Sequence, residues 1–296
     1  MAEAADTKKS GAKPKPAGGF KPDLATLGGI GLALTGILGG LIMEKGSIRD
    51  VAQITAAMIV LGGTFGAVLV TTPLPVFLRA VKGMRDVFFE RASSTSETIE
   101  TLIRFATRAR KNGIVSLETE TAAIADPFLR KALNLAVDGT DLNEIRKMME
   151  IDMELAEQTE EQKAKVWEAA GGYSPTIGII GAVMGLIQVM KHLDDIGEVG
   201  RGIAVAFVAT VYGVGTANIL FLPFANKLRA RLQQARLLKE LMLEGVIGIV
   251  EGLNPTLIRL KLSTFDLDSE TRKSKETKEI KSRAKAGSPQ TAPAGD

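Results

Sequence analysis

The sequence predicts an all-α, polytopic membrane protein with four transmembrane helices and a helical cytoplasmic domain between helices 2 and 3. Three observations predict it. Apolar residues are gathered into four uncharged blocks, residues 24–43, 51–78, 169–190 and 202–226. A bilayer core roughly 30 Å thick needs about 20 helical residues, and every block reaches that length. The lysines and arginines fall mainly on one side of the resulting topology. The overall composition, 45% hydrophobic and 24% charged with a net charge of +3, would suit a soluble protein, so the segregation decides the matter.

Taking the elements in order, residues 1–22 are rich in Ala, Lys, Gly and Pro and read as a disordered basic cytoplasmic tail. No apolar run or small-residue cleavage site marks them as a signal peptide. Residues 23–78 hold helices 1 and 2, joined by a short turn. Residues 79–168 carry fourteen Lys and Arg, and the turn between helices 3 and 4 carries two. Basic residues near span ends stay on the cytoplasmic side, which places both termini and the long loop inside. Residues 169–226 hold helices 3 and 4, residues 227–266 a cytoplasmic helical extension, and residues 267–296 a second disordered tail.

The long loop is patterned. Ile99, Leu102, Ile103 and Ala106 recur at helical spacing behind a capping box from Ser94 to Glu97, and Asn112-Gly113 ends that helix. Asp126-Pro127 opens a short helix that closes at Asp138-Gly139. Asp141 and Glu144 form another capping box, and the run behind them enters the third span without a Gly or Pro before it. Movement of the loop domain is therefore expected to reach the membrane helices directly.

The spans contain no carboxylate, histidine or lysine, the groups that carry ions through a bilayer. If an ion crosses, a partner helix must supply the carboxylate; spans of this kind suit a passive scaffold equally well. Gly178, Gly181 and Gly185 recur along the third span and predict close helix packing and oligomer formation. Pro175 and Pro223 each free a backbone carbonyl at a depth where a hydrated path could use it. Thr176, Thr210 and Tyr212 add polar groups, making helices 3 and 4 the expected ion-path pair.

Other chemistry is excluded or unsupported. Without cysteine there is no disulfide, thiolate or cysteine-bound metal, and one histidine leaves little for imidazole chemistry. No phosphate-binding glycine loop, metal cluster or paired carboxylates indicate an enzyme, so catalytic residues, metal and cofactors are all expected to be none. Nothing indicates a nucleic-acid partner.

Several stretches together resemble the flagellar motor stator A subunits, called MotA where protons drive the motor and PomA where sodium does. They include Asp23-Leu24-Ala25-Thr26, Gly62-Gly63-Thr64, Arg110-Lys111-Asn112-Gly113 with Leu117-Glu118, and Val137-Asp138-Gly139. Further along are Pro175-Thr176-Ile177-Gly178, Ala209-Thr210-Val211-Tyr212-Gly213, Pro223-Phe224-Ala225-Asn226-Lys227 and Glu251-Gly252-Leu253-Asn254-Pro255. The resemblance runs from about residue 23 to residue 262. It implies a homo-pentamer in the bacterial inner membrane surrounding two single-span MotB-type B subunits, each with a membrane aspartate and a peptidoglycan-binding domain. It also implies that the loop pushes the rotor's switch-complex protein FliG. Arg110 and Glu118, with Lys111 beside the first, fall on the family's rotor-contact positions; read alone they are an ordinary solvated face. Ala182 stands where sodium-driven members carry threonine, so the transported ion is expected to be the proton. The alternative is a TolQ/ExbB-like energiser of envelope or outer-membrane processes, whose members have three spans.

Overall fold

The computed structural model describes residues 20–91 and 95–265, and these form thirteen α-helices, two π turns, one 3-10 turn and a two-stranded clip. The capping box expected at Ser94 lies outside them. The first membrane helix, α1 (Leu24–Met43), starts where the Asp23 carboxylate accepts the Thr26 N–H at 3.1 Å, satisfying a donor that a helix start leaves without a partner. The chain turns through Lys45, at φ 61, into α2 (Ile48–Val51), opened by a Ser47–Asp50 capping box.

Next come α3 (Ile54–Ala57), a π turn (Met58–Gly62) and α4 (Gly63–Thr71), and the stretch Ile48–Thr71 is the second span. The apolar block that suggested a span ending at residue 78 is thus cut short. Pro73 has no N–H to continue the ladder, and its extended backbone starts a separate helix, α5 (Leu74–Gly83). After α6 (Arg85–Phe88), strand β2 (Phe89–Arg91) pairs antiparallel with β1 (Phe20–Pro22), Pro22 lying opposite Phe89. Composition places residues 20–22 in a disordered tail. Instead they lie in the clip, because pairing with β2 satisfies backbone groups that a polar, proline-rich composition says nothing about.

In the loop, α7 (Thr95–Asn112) ends before Gly113, whose φ of 81 with ψ of 158 is a backbone conformation that favours glycine. A 3-10 turn (Ile114–Leu117) and α8 (Glu118–Thr121) follow. Helix α9 (Pro127–Val137) is capped by Asp126, which accepts from the Phe128 and Leu129 N–H groups at 2.9 and 3.0 Å, and Gly139 closes it at φ 75. Asp141 accepts the Asn143 N–H at 2.9 Å, and from there α10 runs as one helix of 50 residues, Leu142–Lys191. The chain continues through α11 (Ile196–Thr216), a π turn (Ala217–Phe221), α12 (Leu222–Val250) and α13 (Pro255–Ser263).

The described residues form two compact units, 20–91 with 152–236 and 95–151 with 237–265. The first holds all four spans. Its core gathers much of the protein's small aromatic content: Trp167 stacks on Phe221 at 6.0 Å and meets Phe224 edge-on at 5.9 Å, while Phe88 meets Phe224 at 5.5 Å. Each such pair contributes about 0.5–1.5 kcal/mol beyond its buried area. The indole N–H donates to the Ala80 carbonyl at 3.4 Å, giving the one polar atom of that ring a partner.

The second unit has its own buried apolar core. Leu102 and Phe105 of α7, Leu129 and Leu133 of α9, Ile145 and Met149 of α10, Leu241 and Ile247 of α12, and Ile258 and Leu262 of α13 are buried. Gly245 sits where a Cβ would fall 2.6 Å from Leu102 Cδ1, so α12 can approach α7 closely. On its rim Glu244 accepts from Lys261 at 2.5 Å and Arg146 at 2.9 Å. Burial raises the Glu244 carboxyl, and the two cations more than offset it, leaving it below the usual glutamate range.

Candidate functional site

The glycines singled out along the third span pack against α11. A Cβ on Gly178 would lie 3.0 Å from the Ala209 carbonyl oxygen and from Gly213 Cα. One on Gly185 would lie 2.8 Å from both the Ala206 nitrogen and the Gly202 oxygen, and one on Gly181 2.8 Å from Ala209 Cβ. The backbones of α10 and α11 therefore touch. The partner stripe Gly202, Ala206, Ala209 and Gly213 escaped sequence reading, although its spacing is helical and its residues are all small.

Polar groups follow the same seam. Ser174, fully buried, donates to the Gly213 carbonyl at 3.0 Å and lies 2.8 Å from the Thr216 hydroxyl. Thr216 donates to the Tyr212 carbonyl at 2.6 Å and Thr210 to Ala206 at 3.1 Å, whereas Thr176 is exposed and donates to Tyr173 of its own helix at 2.8 Å. The Tyr212 hydroxyl donates to the Val51 carbonyl at 2.5 Å, fastening α11 to the start of the second span. Ala182 is half-buried and presents only a methyl group. Pro175 follows Ser174 in α10, whereas Pro223 lines a cleft against α1. Thr64 Oγ1 and Gln53 Oε1 are buried without a hydrogen-bond partner, both in the second span. Sequence reading missed Ser174, Thr64 and Gln53; the only signal was their polarity within apolar blocks.

At the start of α1 lies an ion cluster that charge counting did not disclose. Asp23 Oδ2 is 2.5 Å from Lys227 Nζ and 2.8 Å from an Arg231 nitrogen. Arg231 also donates to the Phe89 carbonyl at 2.5 Å, and the Asp23 N–H donates to the Phe88 carbonyl at 2.8 Å. The Lys227 hydrogen bond, joined by the Thr26 N–H and Arg231, holds the Asp23 carboxyl well below the usual aspartate range, despite an opposing effect of burial. Three chain segments, 23–26, 88–89 and 227–231, meet around this residue.

In the loop, Arg110 and Lys111 occupy the last turn of α7 and Glu118 opens α8; all three are exposed. Among the described residues none of the three has an ion-pair partner. Their neighbours differ, since Arg108 pairs with Glu120 and Arg259 with Glu100. Structural ion pairs consume the adjacent charges and leave these three facing water.

Two family models match the chain: the motility protein A N-terminal model over residues 27–113 and the MotA/TolQ/ExbB proton channel family model over residues 120–241. Motility protein A of Helicobacter pylori strain ATCC 700392 is 36% identical over 252 residues, covering 85% of this chain and 98% of the relative. The chain belongs to the motility protein A family, the A subunits of flagellar motor stators. This A subunit is a multi-pass protein of the inner membrane. Motility protein A of Bacillus subtilis is 35% identical over 244 residues, 82% of this chain and 90% of that one. A solved structure of Campylobacter jejuni MotAB superposes with a TM-score of 0.79 at 35% identity, covering 82% of this A subunit and 95% of that chain.

Proposed function

We propose that five copies of this A subunit surround two MotB-type B subunits and turn around them as ions pass, the loop 79–168 pushing FliG. One observation carries the reading: four spans without a carboxylate, the third and fourth in backbone contact, in a chain matching solved MotAB stator chains along most of its length. A membrane path for a cation needs a polar stepping stone. An aspartate on the B-subunit helix completes what these spans lack. Both termini and the loop face the cytoplasm, consistent with the basic residues at 79–85, 163–165 and 227–231. The match to the motility-specific N-terminal model favours this reading over a TolQ/ExbB-like energiser. Capture of the tagged chain from native membranes in mild detergent tests it. The expected companion is a single-span protein with a membrane aspartate and a peptidoglycan-binding domain; a short envelope-energiser partner in its place would reject the reading.

Arg110, Lys111 and Glu118 are the rotor contact. Exposed, unpaired charges suit a contact that forms and releases quickly, because rim electrostatics set encounter and register more than affinity. Arg110→Glu and Glu118→Lys are each expected to abolish or strongly slow swimming with stator assembly intact, and a reversal on FliG to restore it. Normal swimming of both single variants would refute the assignment.

The transported ion is the proton. Ala182 offers a methyl group where a hydroxyl oxygen would help to hold sodium. Swimming speed at fixed proton-motive force should not change with external sodium; a rise would reverse this choice of ion.

A further inference from the structure

Helices α1 and α12 leave an open cleft of about 400 Å³ between them, walled by Gly29, Ala33, Ile219, Pro223 and Phe224, with Lys227 at one end. No residue of α1 is buried within the chain, so the cleft opens sideways toward hydrocarbon. Its polarity is graded: apolar along the walls, cationic at the mouth. There one carboxylate serves two cations, since Lys227 and Arg231 share Asp23 Oδ2 at 2.5 and 2.8 Å, leaving a surplus positive charge. The Lys227 side chain is 33% exposed, and an ammonium has three N–H donors, of which Asp23 takes one.

We propose that an anionic phospholipid occupies this cleft, one acyl chain lying along the α1–α12 wall and its phosphodiester on Lys227. Basic pockets between membrane helices at the interface bind acidic headgroups in this manner. The charge balance selects the class. A zwitterionic headgroup leaves the surplus charge uncompensated, and a free phosphate leaves the apolar walls uncovered. A second copy of the chain would cover the walls with an uncharged span, and the cross-linking arm below tests for it. The proposal is independent of the stator reading, resting on the membrane location alone.

The test is lipid mass spectrometry on the complex purified from native membranes in mild detergent, set against the bulk lipid composition. Anionic phospholipid is expected to be retained stoichiometrically and enriched several-fold. Gly29→Leu projects a side chain into the cleft from a position where the Cβ meets nothing within 4 Å, and should lose the enrichment at an unchanged melting temperature. Lys227→Gln should also lose it, and Lys227→Arg should keep it. Undiminished enrichment in Gly29→Leu, or retention of zwitterionic lipid alone, overturns the proposal. So does disulfide cross-linking between copies when Ala33→Cys is paired with single cysteines scanned along the other spans, a clean probe in a chain with no cysteine of its own, because it would place a second copy in the cleft.

Discussion

Gly185→Val is expected to be among the most destabilising single changes in the spans of the membrane unit. Even the first added atom, the Cβ, would stand 2.8 Å from the Ala206 nitrogen and 2.8 Å from the Gly202 oxygen. Both obstacles are backbone, so neither can rotate aside, and α10 and α11 must separate. Overpacking of this kind costs about 1–3 kcal/mol for one or two methyl groups, and separation also forfeits contacts along the rest of the seam. A fall in melting temperature of roughly 5–10 °C in detergent, with lower abundance in the membrane, is the expected result. Gly213→Val should behave alike, since a Cβ there meets the Ser174 oxygen at 2.7 Å and would also disturb the Ser174–Thr216 pair. Gly36→Val supplies the control, because nothing lies within 4 Å of its added Cβ. Equal stability of Gly185→Val and Gly36→Val would mean that the two helices do not cross in this way.

That contrast shows how far sequence reading reaches in a membrane protein. Glycines in α1 and in α10 look the same on paper. Those of α10 meet α11, while those from Gly28 to Gly40 in α1 meet nothing in the chain. Apolar length located the spans because it answers to bilayer thickness, a property outside the protein. Caps at Asp126 and the turns at Gly113 and Gly139 were legible because they are local. The end of the second span was not, since hydropathy runs smoothly through Thr71 to Leu78 and only the missing N–H of Pro73 breaks it. The pairing of Ser174 with Thr216 across 42 residues and of Asp23 with Lys227 across 204 depends on tertiary approach, which no local pattern encodes. Likewise Tyr212 reads as a polar group for a pathway, yet its hydroxyl is committed to Val51.

Removal of the Asp23 carboxylate carries the second large effect, and its pH dependence separates charge from shape. In Asp23→Ala two cations lose their shared partner and α1 loses its cap. Breaking a buried pair costs about 3–5 kcal/mol when the remaining charge stays dry. Lys227 and Arg231 are 33% and 20% exposed, so water relieves part of that, and about 2–3 kcal/mol, with about 1 kcal/mol from the cap, is expected. Asp23→Asn keeps an acceptor for the Thr26 N–H and loses only the charge, so it should fall between wild type and Asp23→Ala. The folded carboxyl titrates far below its unfolded value of about 3.9, held there first by the Lys227 hydrogen bond. A depressed folded pKa contributes stability that is complete above the unfolded value and is lost as pH falls toward the folded one. The stability gap between wild type and Asp23→Asn should therefore be constant from pH 7 to about pH 5 and narrow below about pH 4. A double-mutant cycle with Lys227→Gln should return a coupling energy that shrinks over the same interval. A gap unchanged down to pH 3 would show that Asp23 acts through shape and capping, and that the cations around it are held by something other than its charge.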